Sequence, residues 1–380
     1  GVVDVWTQKR EERRVLLRPE MVNKLLGTNL DKQQMIDILL PLGFVMDGDD
    51  VIVPSDRWDV ERDCDIAEEV ARYVGYNKMP STIMTGVASA RPTERQTFRE
   101  KMLNTLVGYG LYEVETFSFF SRKSFDAINL PQNDPLRKAV VISNPLGEDT
   151  SIMRTTALPS VMDVVARNYN ARAAECAVFE DATVYLPHGG PDELPDEVES
   201  VVLAAYGQEY DYLALKGMVE KLLETAGVKD VRYERNAAGT TYHPGRCADI
   251  YLGDEKLGVI GELHPTVLGN YGVKPRVVAA ELNMDVLFAH RGGTALFQPL
   301  PKHPATARDL ALVADLSMPA AQIAQCIEKA AGKLLESLTL FDVYTGEHMA
   351  QGKKSLAYNL VLRAPDRTLT DEETENIVQK

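Results

Sequence analysis

Cysteine is scarce in this sequence, and long apolar runs are absent. The 380 residues contain four cysteines and no Cys-x-x-Cys pair. This spacing excludes a zinc ribbon and a dithiol motif, and isolated cysteines are typical of a reducing compartment. No apolar run approaches the ~18–20 residues of a membrane-spanning helix, and no secretory signal pattern opens the chain. We therefore expect a cytoplasmic protein that does not bind membranes.

The sequence also lacks a recognisable catalytic motif. Only six histidines occur, and three of them, His243, His264 and His303, precede proline. A His-Pro unit is more typical of a turn than of a catalytic base, and no serine or cysteine motif accompanies it. The patterns G-x-x-x-x-G-K-[ST], G-x-S-x-G and H-E-x-x-H are absent. No residue of this chain is therefore predicted to be catalytic.

Positive charge is in deficit. Lys and Arg number 41 against 56 Asp and Glu, a formal net charge of −15. A globally basic nucleic-acid-binding protein is excluded, because neutralising phosphates needs a matching number of cations. A local basic patch could still contact RNA.

Hydrophobic periodicity and breaker residues divide the chain into three α+β modules. Most predicted elements begin at a capping residue or proline and end at glycine, such as the helix that starts at Pro19 and ends before Gly27. Because the chain opens with Gly1 and stops at Lys380 within a helical pattern, we expect it to be part of a longer protein. The predicted boundaries are a tail at 1–13, modules at 14–82 and 91–288, a linker at 289–303 and a last module at 304–380.

The first module contains the most distinctive charge pattern, R57-W-D-V-E-R-D-C-D-I-A-E-E-V-A-R-Y. Helical spacing gathers acids on one face, with Ile66, Val70 and Tyr73 turned to the core. Hard oxygen ligands of this type suit Mg²⁺. The alternative is a solvated acidic face neutralised by Arg62 and Arg72. The candidate ligands are Asp59, Asp65, Glu68 and Glu69.

The second module is predicted as a mixed sheet with flanking helices, including a helix over Thr93–Val107 and strands over Tyr112–Phe120 and Val140–Ile142. The third module has the order strand, helix, strand, strand, helix of the ferredoxin-like pattern without its last strand. Its basic residues form a positive strand edge that could bind phosphates, and the aromatic side chains beside it could stack on a base. Alternatively, Leu340, Phe341 and Val343 belong to the core. The candidate RNA-binding residues are Lys353, Lys354, Arg363, Arg367, Phe341 and Tyr344.

Motifs in all three modules resemble the bacterial phenylalanine–tRNA ligase β subunit family. They are PSDRWDVERDCDIAEEVARYVGYNKMP in the first, SNPLGEDTSIMRTTALPSVMDVVARNYN and VFEDATVYLP in the second, and PKHPATARDLALV and KKSLAYNLVLRAPDRTLTDEE in the third. The resemblance implies a winged-helix-like B5 domain, a degenerate class II synthetase core and a ferredoxin-fold anticodon-binding domain. It also implies that the four acids bind one Mg²⁺ per β subunit.

The same resemblance implies a role in assembly. In the family, a catalytic α subunit binds ATP and phenylalanine and joins the β subunit in an (αβ)₂ tetramer that binds tRNA(Phe). VFED has no arginine between Phe179 and Glu180, where a class II site would clamp ATP phosphates. We therefore expect a non-catalytic partner chain without the upstream editing module. Two alternatives remain, a stand-alone RNA-binding or regulatory protein and a metal-dependent hydrolase that uses the acids.

Overall fold

The computed structural model describes residues 1–5, 7, 11–86, 90–190, 193–293, 296–297, 299–346 and 349–379. Parts of the predicted tail and linker (6, 8–10, 294–295 and 298) and Lys380 lie outside them. The chain divides into two compact units, Gly1–Arg91 and Pro92–Lys380. None of the helices in these ranges has the length and apolarity that crossing a membrane requires.

The helices and strands of the first unit span Arg13–Val74. In chain order they are β1 (Arg13–Leu16), α1 (Pro19–Leu26), α2 (Lys32–Leu39), β2 (Val45–Asp47), β3 (Asp50–Val53) and α3 (Asp63–Val74).

The second unit carries the remaining elements. They are α4 (Glu94–Gly108), β4 (Tyr112–Glu113), β5 (Phe119–Phe120), α5 (Lys123–Ala127), β6 (Ile152–Met153), α6 (Leu158–Asn170), β7 (Cys176–Leu186), β8 (Asp196–Tyr206), α7 (Tyr212–Ala226), β9 (Val231–Arg235), β10 (Tyr242–Leu252), β11 (Glu255–Leu263), α8 (Pro265–Asn270), β12 (Val278–Asn283), α9 (Met284–Ala289), β13 (Thr306–Asp315), α10 (Ala320–Ala331), β14 (Leu335–Tyr344), β15 (Lys353–Leu362) and α11 (Asp371–Val378).

The first unit is a three-helix domain with a small antiparallel sheet of order β1-β3-β2. Asp31 caps α2 in a full capping box with Gln34, as its position before an amphipathic run predicts. Ile66 and Val70 are completely buried, which confirms the predicted core face of α3. The placement of Tyr73 in the core was wrong. Tyr73 is 57 % exposed, and in the last turn of α3 it is Val74 that packs against the core.

A seven-stranded sheet forms the centre of the second unit, in the order β4-β7-β8-β12-β11-β10-β9. Every pairing is antiparallel except that of β4 with β7. Helices α4, α7 and α9 pack on one face, while α6 and α8 pack on the other. The central strands read as continuous apolar runs, such as Val201–Tyr206, because both faces are covered.

Three predictions for this module differ from the structure. The predicted strand over Tyr112–Phe120 is split between β4, which joins the large sheet, and β5, which pairs with β6 in a separate two-stranded sheet. The predicted strand at Val140–Ile142 contributes a single bridge, from Val141 to Ile152. Helix α7 was not predicted, although Asp211 caps it and Gly227 ends it in the left-handed conformation.

The third module, within the second unit, is an antiparallel sheet of order β13-β15-β14. Leu356, Tyr358 and Leu360 pack in one core with Ile323 and Ile327 of α10, as the alternation of apolar residues along Ser355–Leu362 predicts. Thr370 and Glu373 form a capping box at the start of α11, which their spacing of three residues predicts. The element order is the expected ferredoxin-like one.

Candidate functional site

Helices fill both faces of the seven-stranded sheet. On one face, Leu158, Val161, Met162 and Val165 of α6 are completely buried against the strands. On the other, α4, α7 and α9 share one apolar core with Phe179 and Leu203. A catalytic cleft needs a concave space with convergent polar groups. Where α6 covers the strands, the described residues form packed core. A concave space of about 730 Å³ lies between α6 and the β5 segment, with Thr116, Asp163 and Arg167 in its lining.

The VFED motif has a structural role. Phe179 is completely buried, and Glu180 forms an ion pair with Arg154 in which the side chains are 3 % and 4 % exposed. The Arg154 Nη1 atom lies 2.7 Å from Glu180 Oε1, and its Nε atom donates to the carbonyl of Thr183 at 2.8 Å. The hydroxyl of Thr116 also donates to Glu180, at 2.7 Å. This arginine, which the sequence analysis did not single out, neutralises a buried carboxylate and is not available to a phosphate.

A second carboxylate in the sheet, that of the partly buried Glu281, forms no ion pair with the described residues. Glu281 accepts hydrogen bonds from the hydroxyls of Thr156, at 2.5 Å, and Tyr242, at 3.1 Å. Burial raises the pKa of Glu281 above its usual value, and the two hydroxyl donors only partly oppose that shift. The group is a hydrogen-bonded core polar group that ties β10 and β12 to the start of α6.

The predicted acidic cluster has an arginine at its centre. The Arg57 guanidinium donates to Glu69 at 2.7 and 3.0 Å and to Asp59 at 2.7 and 3.0 Å. Arg72 also donates to Glu69, at 2.5 Å. The hydrogen bonds from Arg57 are the main reason that the pKa of Glu69 lies below its usual value, although burial opposes them. The structure thus brings Asp59 and Glu69 together through Arg57.

The other two predicted ligands stand apart from this pair. The Asp65 carboxylate accepts the backbone N–H groups of Glu61 and Arg62 at 2.9 and 2.8 Å, which lowers its pKa. Glu68 is exposed. Within the described ranges, no three Asp, Glu, His or Cys side chains are grouped as a metal ion would require. As arranged, these residues do not fit Mg²⁺, which needs several oxygens converging at about 2.0–2.1 Å.

The alternative of a neutralised acidic face named Arg62 as one of the cations. Arg62 contributes mainly its backbone N–H, and its Nε atom lies 4.0 Å from Asp65. Arg57 takes that role with Arg72, twelve and three residues from Glu69. In the sequence, the feature that could have indicated Arg57 is the R-x-D tripeptide that opens the motif.

The basic residues predicted to contact RNA all have partners within the third module. Lys353 pairs with Asp315 at 2.7 Å, and Lys354 donates to the carbonyl of Met318 at 2.6 Å. Each of the two arginines, Arg363 and Arg367, forms an ion pair with a glutamate, and Arg363 also donates to the carbonyl of His303. Exposed pairs of this kind are worth about 0–1 kcal/mol, so they can exchange a carboxylate for a phosphate.

Aromatic side chains of β14 lie on the surface. Phe341 and Tyr344 are exposed, as are Leu340 and Val343. The alternative that placed Leu340, Phe341 and Val343 in the core is therefore wrong. In β14, the side chains that pack on the core are Leu335 and Leu338. Base stacking by the two aromatic residues stays a prediction.

Four apolar side chains between the last turn of α4 and the start of β5 are exposed, and we call this group the α4–β4 surface. It consists of Val107, Tyr109, Tyr112 and Phe117. Tyr112 is 76 % exposed on the edge strand of the large sheet, and Phe117 is 73 % exposed and stacks on Phe119 with ring centroids 5.2 Å apart. An apolar surface at a sheet edge is typical of a protein–protein contact.

Comparison with known proteins matches each module separately. The family model described as "tRNA synthetase B5 domain" matches residues 15–76, and "Ferredoxin-fold anticodon binding domain" matches 301–380. The model "Phenylalanyl tRNA synthetase beta chain CLM domain" matches residues 79–284, just over half of the chain. Together the fold and these matches define a multidomain protein of the aminoacyl-tRNA synthetase class. The chain belongs to the phenylalanyl-tRNA synthetase beta chain family.

Individual relatives match this sequence along its whole length. The phenylalanine–tRNA ligase beta subunit of Clostridium tetani (strain Massachusetts / E88) is 40 % identical over 385 residues, covering 100 % of this chain and 48 % of the relative. That of Clostridium acetobutylicum is 38 % identical with the same coverage. The chain thus spans about half the length of the curated relatives it matches. A pyrrolysyl-tRNA synthetase structure from Desulfitobacterium hafniense covers 62 % of this chain and 81 % of that one, with 17 % identity and a TM-score of 0.44, which is too low to carry an argument.

Proposed function

We propose that this chain is the non-catalytic, scaffolding portion of a phenylalanine–tRNA ligase β subunit. It binds the catalytic α subunit in an (αβ)₂ assembly and helps to hold tRNA(Phe), while the α subunit binds ATP and phenylalanine and carries out the chemistry. The observation that carries this proposal is the large sheet itself. Both of its faces are packed with apolar helices, and Arg154 is bound to Glu180.

The α4–β4 surface is the proposed contact with the α subunit. It combines exposed aromatic side chains with an open sheet edge, and interfaces concentrate their binding energy in such aromatic anchors. Its exposed side chains add little to the stability of the isolated chain, so mutations there separate assembly from folding.

We expect Tyr112→Asp, in the full-length subunit, to weaken association with the α subunit by about 10- to 30-fold, because it places a charge in a desolvated contact. Analytical ultracentrifugation of the mixed subunits measures this, with aminoacylation of tRNA(Phe) as a second readout. Leu25→Asp is the matched control, since Leu25 is also largely exposed but belongs to α1 of the first unit. Equal loss in both variants, or in neither, would place the contact elsewhere.

The third module is the proposed RNA contact. Lys353 and Lys354 are adjacent on β15, near Tyr344 at the end of the neighbouring strand β14. A phosphate can replace their present partners, an exposed carboxylate and a backbone carbonyl, at little cost. Arg363 is less suited, because it also holds the carbonyl of His303.

The RNA proposal predicts a change in salt dependence. Lys353→Gln/Lys354→Gln should make the slope of log affinity against log salt for tRNA(Phe) shallower by about 1.5, for two lost phosphate contacts. Filter binding between 50 and 200 mM salt would measure it. Lys329→Gln/Lys333→Gln is the matched control, since both lysines are exposed in the same module. If only the control loses affinity, the module binds RNA through other cations; if the unmodified protein does not bind, the RNA proposal fails.

The binding of Mg²⁺ by Asp59, Asp65, Glu68 and Glu69 stays a prediction. The oxygen donors support it, and their arrangement around Arg57 does not. No step of the proposed function depends on it. If it holds, millimolar Mg²⁺ raises the melting temperature of the first unit, and Glu68→Gln/Glu69→Gln abolishes the increase.

A further inference from the structure

The acidic cluster of the first unit already contains a cation. Glu69 is 3 % exposed, so its carboxylate requires a partner within the protein. Both of its oxygens are taken by Arg57, through Nη1 at 3.0 Å and Nη2 at 2.7 Å, and Arg72 adds a third hydrogen bond. A two-point contact of this geometry is the strongest pairing that a guanidinium makes with a carboxylate.

The same guanidinium also binds Asp59. Its Nε and Nη2 atoms reach the two Asp59 oxygens at 3.0 and 2.7 Å. The Arg57 side chain is 22 % exposed, and its guanidinium carbon lies 5.7 Å from the centre of the Phe44 ring. Four hydrogen bonds and one aromatic contact therefore fix Arg57 between a loop acid, Asp59, and a helix acid, Glu69.

Arg57 disfavours a divalent cation at these carboxylates by charge. Its guanidinium contacts both oxygens of Asp59 and both of Glu69, so a cation that bound any of them at about 2.0–2.1 Å would lie close to a positive charge. Asp65 and Glu68 are the two acids of the cluster that Arg57 does not contact. Asp65 is engaged with backbone N–H groups, and Glu68 lies in solvent.

We infer that Arg57 is the resident counter-ion of this cluster and keeps a divalent cation out, so that the fold of the first unit is independent of metal. This inference opposes the Mg²⁺ assignment that the family resemblance implies, and it is independent of the proposed roles in assembly and RNA binding. The arginine lies two residues before Asp59 and twelve before Glu69, so a single substitution can test it.

The test compares melting in 5 mM EDTA with melting in 5 mM Mg²⁺ for the 380-residue chain. Trp58, adjacent to Arg57, is one of only two tryptophans, so its fluorescence reports on the first unit. The unmodified chain should melt at the same temperature in both buffers. Arg57→Gln should melt at a lower temperature in EDTA, because Glu69 keeps only Arg72, and Mg²⁺ should restore part of the loss. Arg62→Gln, which keeps the backbone contact to Asp65, is the matched control and should behave like the unmodified chain.

Direct binding gives a second readout that does not depend on melting. The electron paramagnetic resonance signal of free Mn²⁺ should be unchanged by the unmodified chain and reduced by Arg57→Gln. Arg57→Lys replaces Arg57→Gln if the latter does not fold, and weak Mn²⁺ binding is then expected, because lysine cannot hold both carboxylates at two points each. Stabilisation of the unmodified chain by Mg²⁺, lost in Glu68→Gln/Glu69→Gln, would overturn the inference. A lack of any cation effect in the Arg57 variants would also overturn it, since Arg57 would not be what excludes the metal.

Discussion

Replacing Arg154 by methionine is expected to lower the free energy of unfolding of the second unit by about 3–5 kcal/mol. The substitution keeps most of the side-chain volume but leaves the Glu180 carboxylate, 3 % exposed, without its cation. The hydrogen bonds from Thr116 cannot replace a positive charge in this environment. Equilibrium urea denaturation followed by circular dichroism would measure the loss.

The double mutant Arg154→Met/Glu180→Gln provides the control. It removes both charges, so its cost should be clearly smaller than the sum of the two single substitutions. Costs that simply add would show that the two residues do not act as a pair. If Arg154→Met changed the stability by less than 1 kcal/mol, the buried ion pair would not be a structural element of this sheet.

Truncating Phe179 to alanine should also cost about 3–5 kcal/mol, because its ring is fully enclosed and the surrounding strands and helices cannot close the resulting cavity. Phe179 lies on β7 and packs in the core that β8, α4 and α7 share. The same denaturation experiment measures the effect.

Phe117→Ala is the matched control for this prediction. It removes the same ring from a position that is 73 % exposed, so stability should change by no more than about 0.5 kcal/mol. The two variants should also differ in function, because Phe117 belongs to the α4–β4 surface. A large loss of stability in Phe117→Ala would mean that this surface is part of the fold and not a contact with another chain.

The residues of the VFED motif are part of the fold of the large sheet. In VFED, Phe179 belongs to the hydrophobic core and Glu180 is neutralised by Arg154, so neither is available to a ligand. On the opposite face of the sheet, α6 occupies the space above the strands with four completely buried apolar side chains. The motif and α6 therefore both stabilise the sheet.

Several elements could be predicted because their signals are local. Asp31 and Thr370 cap α2 and α11, and the run Ser355–Leu362 alternates between core and surface, as their neighbours in sequence indicate. The region between β4 and β5 could not be read in this way. Tyr112 and Phe119 look like parts of one apolar strand, and only pairing with β7 and β6 assigns them to different sheets.

The candidate sites show the same limit. Sequence spacing correctly placed Ile66 and Val70 in the core. It also named Arg72, which contacts Glu69, but it named Arg62 in place of Arg57. In the sequence, Lys353 and Arg363 belong to a basic patch. In the structure, each forms an ion pair with a carboxylate that lies 38 or 27 residues away along the chain. Spacing reports which side chains share a face, whereas charge neutralisation depends on which segments meet in space.

By itself, the sequence determined the order of the three modules, most helix and strand positions, and the family to which the motifs point. Capping residues, glycines and hydrophobic periodicity act over a few neighbouring residues, so they can be recognised from the sequence alone. Only the tertiary structure decided that Arg57 neutralises the acids and that α6 closes the sheet. Both outcomes depend on contacts between segments that are distant along the chain. The residues next to a charged side chain in sequence do not show whether that charge will be buried.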